Sequence, residues 1–262
     1  MGEVSYAPLI RDMTWSYSRA SAFEDCPYRW YLKYIRFPRK KWDDTFFATY
    51  GSFMHKLIDL HYKEGLAPEQ MLERYLHGFR NEVTYKAPSQ KVFGNYFAAG
   101  IQYLSHFEPI PFAPMETEME VEFDIDGIPL VGYIDFLGRG DDGISIVDNK
   151  SRALKARSRR KTPTKADKEL DSYLQQLYLY SVAVKQRYGE YPKWLCFNCF
   201  RTQTFIKEPF DEKAYAESRQ WLKDKVFEIT HETDFSPNIE WFKCQYLCEC
   251  KNYCEYFDLS ER

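Results

Sequence analysis

The sequence predicts a mixed α/β fold, and three observations carry that expectation. Apolar and acidic residues alternate strictly from Met119 to Ile125, the period-two mark of a strand with one buried face. Two more strand-like runs follow behind turn signals, and a long amphipathic stretch then leads into the apolar run Trp194 to Phe200. A strand, a crossover helix and a strand in that order form a βαβ unit, whose two strands lie parallel.

The elements read as follows. Ser18 and Ser21 are candidate caps for a short helix ending at Asp25, and Pro27 suits the first turn of another in which Trp30, Tyr31, Tyr34 and Ile35 recur at helical spacing. Helices at about 47–64, 68–82 and 92–107 come next, the first ending at Gly65 and the second opening after Pro68. These three are expected to form a helical lobe over one end of the sheet. Asp126-Gly127 is a hairpin signal between Met119–Ile125 and a second strand, Ile128 to Leu137. The glycine-rich loop 138–143 turns the chain into a third strand, Ile144 to Asp148. A helix at about 168–188 ends at Gly189 and Pro192; strands at 194–200 and 203–208 and a helix at 211–230 complete the layer.

The chain of 262 residues, 44% hydrophobic and 29% charged, is long and apolar enough for a real core, which excludes a disordered or low-complexity protein. No apolar run approaches the roughly 18 residues that span a bilayer, and Glu3, Arg11 and Asp12 leave no apolar signal core near the N-terminus. A soluble, cytoplasmic protein is expected. With no repeat and no dividing linker, residues 1–262 are expected to form one domain.

A net charge of −3 gives no overall attraction to nucleic acid, but its distribution is uneven. Between Lys150 and Lys168 the cations Arg152, Lys155, Arg157, Arg159, Arg160, Lys161 and Lys165 face the single acid Asp167. Such a block is a mobile solvated loop or, beside an active site, a phosphate-binding arm.

Asp148 and Lys150 stand two apart at the end of the third strand, so both side chains share a face, and Asp135 on the neighbouring strand can converge on them. Two carboxylates hold a hard cation such as Mg²⁺ or Mn²⁺, and a nearby ammonium can serve water or offset charge on a phosphate. The order Gly132-Tyr133-Ile134-Asp135, Ile146-Val147-Asp148-Asn149-Lys150, Gln176-Leu177-Tyr178-Leu179-Tyr180 resembles the PD-(D/E)XK nuclease superfamily. Within it the chain resembles the RecB-like branch, which includes the AddB nuclease domain and CRISPR-associated RecB-like exonucleases. Ser16 to Arg19, Phe23, Cys26-Pro27 and Tyr31 to Tyr34 resemble that branch's opening helix, and Gly51-Ser52-Phe53-Met54-His55 its glycine-histidine helix.

The resemblance implies a restriction-endonuclease-like core in the order αβββαβ, flanked by helices, with a helical lobe and a C-terminal cysteine cluster. It implies that His55, Asp135, Asp148 and the Asn149 carbonyl ligate the divalent metal, that Lys150 serves the attacking water, and that Gln176 and Tyr180 support the site. The last two lie four apart on a helix and so share a face. Asp59, one turn beyond His55, is either an imidazole-orienting partner or a solvated acid. Arg152, Arg157, Arg159, Arg160 and Lys161 are expected to touch DNA phosphates and to be mobile without DNA.

Seven cysteines divide into two groups. Cys196 and Cys199 lie three apart on a strand, face opposite sides and read as core residues. In iron-sulfur members of the branch, one cysteine of the opening helix and three C-terminal ones hold a 4Fe-4S cluster. The family's C-terminal spacing is C-x2-C-x5-C, and this chain departs from it; only the five-residue gap survives, between Cys248 and Cys254, so the resemblance implies Cys26, Cys244, Cys248 and Cys254 as ligands, with Cys250 spare. Zn²⁺ on the C-terminal quartet is the alternative.

The expectation is thus a metal-dependent DNA exonuclease acting on ends, in recombination, repair or phage DNA processing. The alternatives are an endonuclease of the same superfamily and a non-catalytic DNA-binding or assembly protein. No G-x-x-x-x-G-K-[ST] is present, so strand separation would fall to a helicase or recombination partner.

Overall fold

The computed structural model describes residues 5–260, apart from the side chain of Ser260. Its backbone forms α1 (Ala7–Ile10), α2 (Tyr17–Asp25), α3 (Pro27–Tyr31), α4 (Phe46–Glu64), α5 (Pro68–Glu82), α6 (Gln90–Ser105), β1 (Ala113–Ile125), β2 (Ile128–Gly140), β3 (Gly143–Asn149), α7 (Lys165–Tyr188), β4 (Trp194–Cys199), β5 (Thr204–Pro209) and α8 (Glu212–His231). No helix among the described residues is long and apolar enough to cross a membrane. The chain separates into two compact units. One comprises Phe46–Phe123 and Gly132–Ser218; the other comprises the chain up to Thr45, Asp124–Val131 and the chain from Arg219 onward.

The unit holding Phe46–Phe123 and Gly132–Ser218 carries the sheet. Five strands lie in the order β1-β2-β3-β4-β5. β2 and β3 are antiparallel, with Phe136 opposite Val147, and β3 and β4 are parallel, with Asp148 opposite Phe197 and Asn149 opposite Asn198. The crossover between the parallel pair is α7. Thr164 caps α7 by accepting from Asp167 N, and Gly189 closes it at φ +78°, a left-handed conformation that costs glycine nothing. Helices α4 to α6 bury an aromatic-rich core of Phe46, Tyr50, Phe53, Tyr75 and Phe79 that includes Phe200, just beyond β4. The helical lobe is therefore anchored at the end of the strand that follows the crossover.

In the other unit, Trp30 is fully buried, stacks on Phe235 at 5.8 Å and donates its indole N–H to the Arg19 carbonyl at 3.0 Å. Trp15 ties the N-terminal segment to the hairpin tip by exchanging backbone hydrogen bonds of 2.8 Å with Pro129 and Val131. Ser16, rather than Ser18 or Ser21, caps α2 by accepting from Arg19 N at 3.0 Å, because the helix already opens at Tyr17. Pro27 opens α3 as expected, and a π-helical turn, Leu32–Arg36, extends it.

Candidate active site

One open cleft of about 650 Å³ is lined among others by Gly51, His55, Glu118, Asn149 and Lys150, and Asp135 and Asp148 lie against His55 and Lys150 beside it. α4 supplies His55, β1 supplies Glu118, β2 supplies Asp135, and the end of β3 supplies Asp148, Asn149 and Lys150. His55 Nδ1 lies 3.5 Å from Asp135 Oδ2 and 4.0 Å from Glu118 Oε1. One potential ligand atom from each of His55, Glu118 and Asp135 lies within 4.8 Å of the other two. Asp135 Oδ2 also accepts the Asn149 backbone N–H at 2.7 Å, which aligns β2 with the end of β3.

Lys150 follows β3 immediately, and period-two geometry brings its Nζ to 2.8 Å from Asp148 Oδ2. That contact pairs the buried Asp148 Oδ2 with the ammonium. Lys150 Nζ also donates to Gln176 Oε1 at 3.1 Å, and Gln176 Nε2 donates to the Tyr180 hydroxyl at 3.3 Å. The expected pairing of Gln176 and Tyr180 on one face of α7 is thus present. Tyr180 in turn packs over Gly132, where a Cβ would lie 2.4 Å from its ring.

The electrostatics follow from burial. Asp135 and Asp148 keep 11% and 7% of their side-chain surface exposed. Burial, reinforced by the Asp148 charge, pushes the Asp135 carboxyl well above the usual carboxylate range. Burial also raises Glu118 and lowers His55. For Lys150, burial works against the ammonium, but the adjacent Asp148 carboxylate outweighs it and holds its pKa above the ordinary value. Two crowded carboxylates and a histidine, with Glu118 beside them, are the donor set a hard divalent cation takes.

Sequence reasoning missed two members of this cluster. Glu118 falls outside the alternating run and would share the exposed side with Glu120 and Glu122, yet its backbone is left-handed at φ +46° and its carboxylate faces His55. Asn198 reads as filler in an apolar strand. It is buried, its Nδ2 donates at 2.8 Å to both Asn149 Oδ1 and the Tyr103 hydroxyl, and its carbonyl accepts from Lys150 N at 2.9 Å. Only the parallel Asn149–Asn198 register reveals it. Asp59 pairs with Lys63 at 3.1 Å, and no hydrogen bond to the imidazole joins it to His55.

The basic block is partly neutralised within its own unit. Arg152 pairs with Glu169 at 2.6 Å, and Arg157 pairs with Asp171 and Glu208 at 2.7 Å each. Arg159, Arg160 and Lys161 are exposed. Asp167 pins both ends of this loop, accepting from Ser158 N at 2.7 Å and Thr164 N at 2.6 Å. Backbone donation from Ser158, then from Thr164, holds its carboxyl well below the usual range.

The cysteines of the other unit surround a small cavity of about 30 Å³ lined by Cys26, Cys244, Cys248, Cys250 and Cys254. Cys26 caps α3, accepting from Arg29 N at 3.4 Å, and accepts from Asn238 N at 3.5 Å. A hydrogen bond from Cys250 brings the Cys248 thiol down to about 7. Cys250 is fully buried, and that same bond pushes its thiol up. Cys248, Glu249 and Cys250 bring potential ligand atoms within 4.8 Å of one another, but Glu249 is engaged by Lys33 and Arg29. Thiols from both chain ends around one cavity fit a thiophilic metal. Cys196 and Cys199 are fully buried on β4, and burial pushes Cys196 up to about 12, as befits packing residues.

A family model described as the PD-(D/E)XK nuclease superfamily matches residues 14–255. No curated protein matches the chain. Among solved structures, one titled "Crystal structure of SSO0001" is similar over 78% of this chain and 94% of its own, at 18% identity and a TM-score of 0.30.

Proposed function

This chain belongs to the PD-(D/E)XK nuclease superfamily, and on that premise we propose that it is a RecB-like, divalent-metal-dependent exonuclease that hydrolyses DNA phosphodiesters from ends. The observation that carries this reading is the convergence of His55 on Asp135 and of Lys150 on Asp148 beside one open cleft.

His55, Asp135, Asp148 and the Asn149 carbonyl would hold Mg²⁺ or Mn²⁺, with Glu118 close enough to join them. When bound, the cation supplies Lewis-acid stabilisation of phosphoryl charge and lowers the pKa of water. Lys150 stays an ammonium through its contact with Asp148, so its role is to orient the attacking water and to offset negative charge on the phosphate. Gln176 fixes the position of Nζ, and Tyr180 fixes Gln176. Arg159, Arg160 and Lys161 are free to meet the DNA backbone; Arg152 and Arg157 would first have to leave their carboxylate partners.

At the chain ends, Cys26, Cys244, Cys248 and Cys254 would hold a 4Fe-4S cluster, with Zn²⁺ as the rival metal, and the whole chain would act as one nuclease domain. Strand separation would come from a helicase or recombination partner.

Incubating the purified protein with Mg²⁺ or Mn²⁺ and end-labelled linear and closed circular DNA tests the reading. Release of nucleotides or short oligomers from linear ends, with circles intact, is the expected result. Cutting of closed circles would make it an endonuclease, and metal-dependent binding without cleavage would make it an assembly protein.

A further inference from the structure

We propose that the turn Arg36–Trp42, together with Tyr253, forms a single-stranded DNA-binding surface in addition to the cleft. The proposal rests on the reading of the protein as a DNA nuclease.

The turn carries Arg36, Arg39, Lys40 and Lys41 with no acid among them, and the Lys40 N–H donates to the Phe37 carbonyl at 3.0 Å to close it. Its rings form one cluster with the C-terminal segment. Phe37 and Trp42 lie 6.2 Å apart, and Tyr253 sits 5.8 Å from Phe37 and 5.5 Å from Trp42. Phe37 and Trp42 also pack against the cluster of Tyr28, Leu32 and Cys250, so the cysteine-lined core fixes the rings from beneath. Tyr253 stays 45% exposed at the surface, enough to offer a face to a base. Lys40 Nζ lies 4.1 Å from the Tyr253 ring centre and 5.4 Å from that of Trp42.

The charges set this surface apart from the block after Lys150. Arg36, Arg39 and Lys41 are exposed, and among the described residues no carboxylate lies within ion-pair distance of them, whereas Arg152 and Arg157 are already paired. An ordinary solvated charge run has no need of fixed rings between its cations. Cations interleaved with aromatic rings bind the backbone and the bases of one strand at once. Duplex DNA withholds its base faces, which favours a single strand as the occupant.

The test uses the Asp148→Ala background, so that DNA stays intact, and a fluorescein-labelled oligothymidylate as probe, with anisotropy followed over a salt series. Replacing Arg36, Arg39 and Lys41 together with Ser should make the plot of log affinity against log salt shallower by about 2, at about 0.7 per lost phosphate contact on a single strand. At 0.1 M salt this weakens binding by about a hundredfold relative to the 1 M limit. Restoring the positions with Lys at 36 and 39 should restore most of the slope. A control variant with Arg74, Lys91 and Lys213 replaced by Ser carries the same net charge and should keep the parent slope.

Tyr253→Ala should weaken oligothymidylate binding by about tenfold while leaving an abasic oligomer of the same length unaffected. An unchanged slope in the triple variant, or an equal loss in the control, overturns the proposal. An equal loss on the abasic probe overturns the stacking role of Tyr253. Failure of the nuclease reading would show instead as absence of Asp148-dependent cleavage, measured separately.

Discussion

Replacing Asp135 with Asn should stabilise the metal-free protein while abolishing its response to metal. Asp148 is buried and Asp135 nearly so, and burial together with the Asp148 charge raises the cost of charging Asp135. The amide keeps an oxygen for the Asn149 N–H that now donates at 2.7 Å, so the hydrogen bond survives while the like charge disappears. Relief of this kind at a functional site is worth about 1–2 kcal/mol. With about 2.1 cal/mol/K per residue, the 262 residues unfold with an entropy of about 0.55 kcal/mol/K, so each kcal/mol moves Tm by about 2 °C. In EDTA the variant should therefore melt about 2–4 °C above the wild type. Mn²⁺ at a hundred times its Kd stabilises the wild type by about 2.7 kcal/mol, or about 5 °C, whereas the variant has lost an anionic ligand and should gain little. The order of melting should thus invert between the two conditions in scanning calorimetry. A variant that melts below the wild type in EDTA, or gains as much from Mn²⁺, would refute the reasoning.

Asn198→Leu leaves Asn149 Oδ1 buried without its 2.8 Å donor, which should cost about 1–3 kcal/mol and loosen the segment that carries Asp148 and Lys150. Calorimetry should show the lower Tm, and cleavage should fall further than in Tyr103→Phe, which leaves the Asn149 contact intact. Asp167 has a folded-state pKa below its unfolded value near 4, so its contribution is fully present above about pH 4 and is lost as pH falls below that. Asp167→Asn should flatten this acid limb of the Tm-against-pH curve, and an unchanged limb would deny the carboxylate its role in pinning Ser158 and Thr164. Protein purified without oxygen should be brown and hold about four irons per chain. Cys26→Ala should lose both colour and Tm and Cys196→Ala should keep the colour, whereas colourless protein with stoichiometric zinc would favour the tetrahedral site.

Period-two alternation made β1 legible, turn signals made β2 and β3 so, and strand geometry put Asp148 and Lys150 on one face, because all of these depend only on local backbone shape. The start of β1 at Ala113 was not legible, since its first residues are half-exposed and follow no alternation. Glu118 escaped because a left-handed residue reverses the side that alternation assigns to it. Asn198 escaped because its partner lies 49 residues away and is met only through the parallel register. The basic block looked uniformly free because the acids that neutralise Arg152 and Arg157 lie beyond the block, on α7 and β5. Local chemistry is written locally; the partners that tune it are supplied by topology.

The proposed metal-dependent phosphodiester hydrolysis rests on Asp148 and Lys150. Its most direct test is the Mn²⁺-dependent rate on end-labelled linear DNA for the wild type, Asp148→Ala and Lys150→Ala, purified identically and shown to be folded by circular dichroism. Cleavage by the wild type is expected, with a loss of at least about a hundredfold in each variant, the cost of removing one preorganised charge from such a site. Near wild-type cleavage by either folded variant would contradict that expectation.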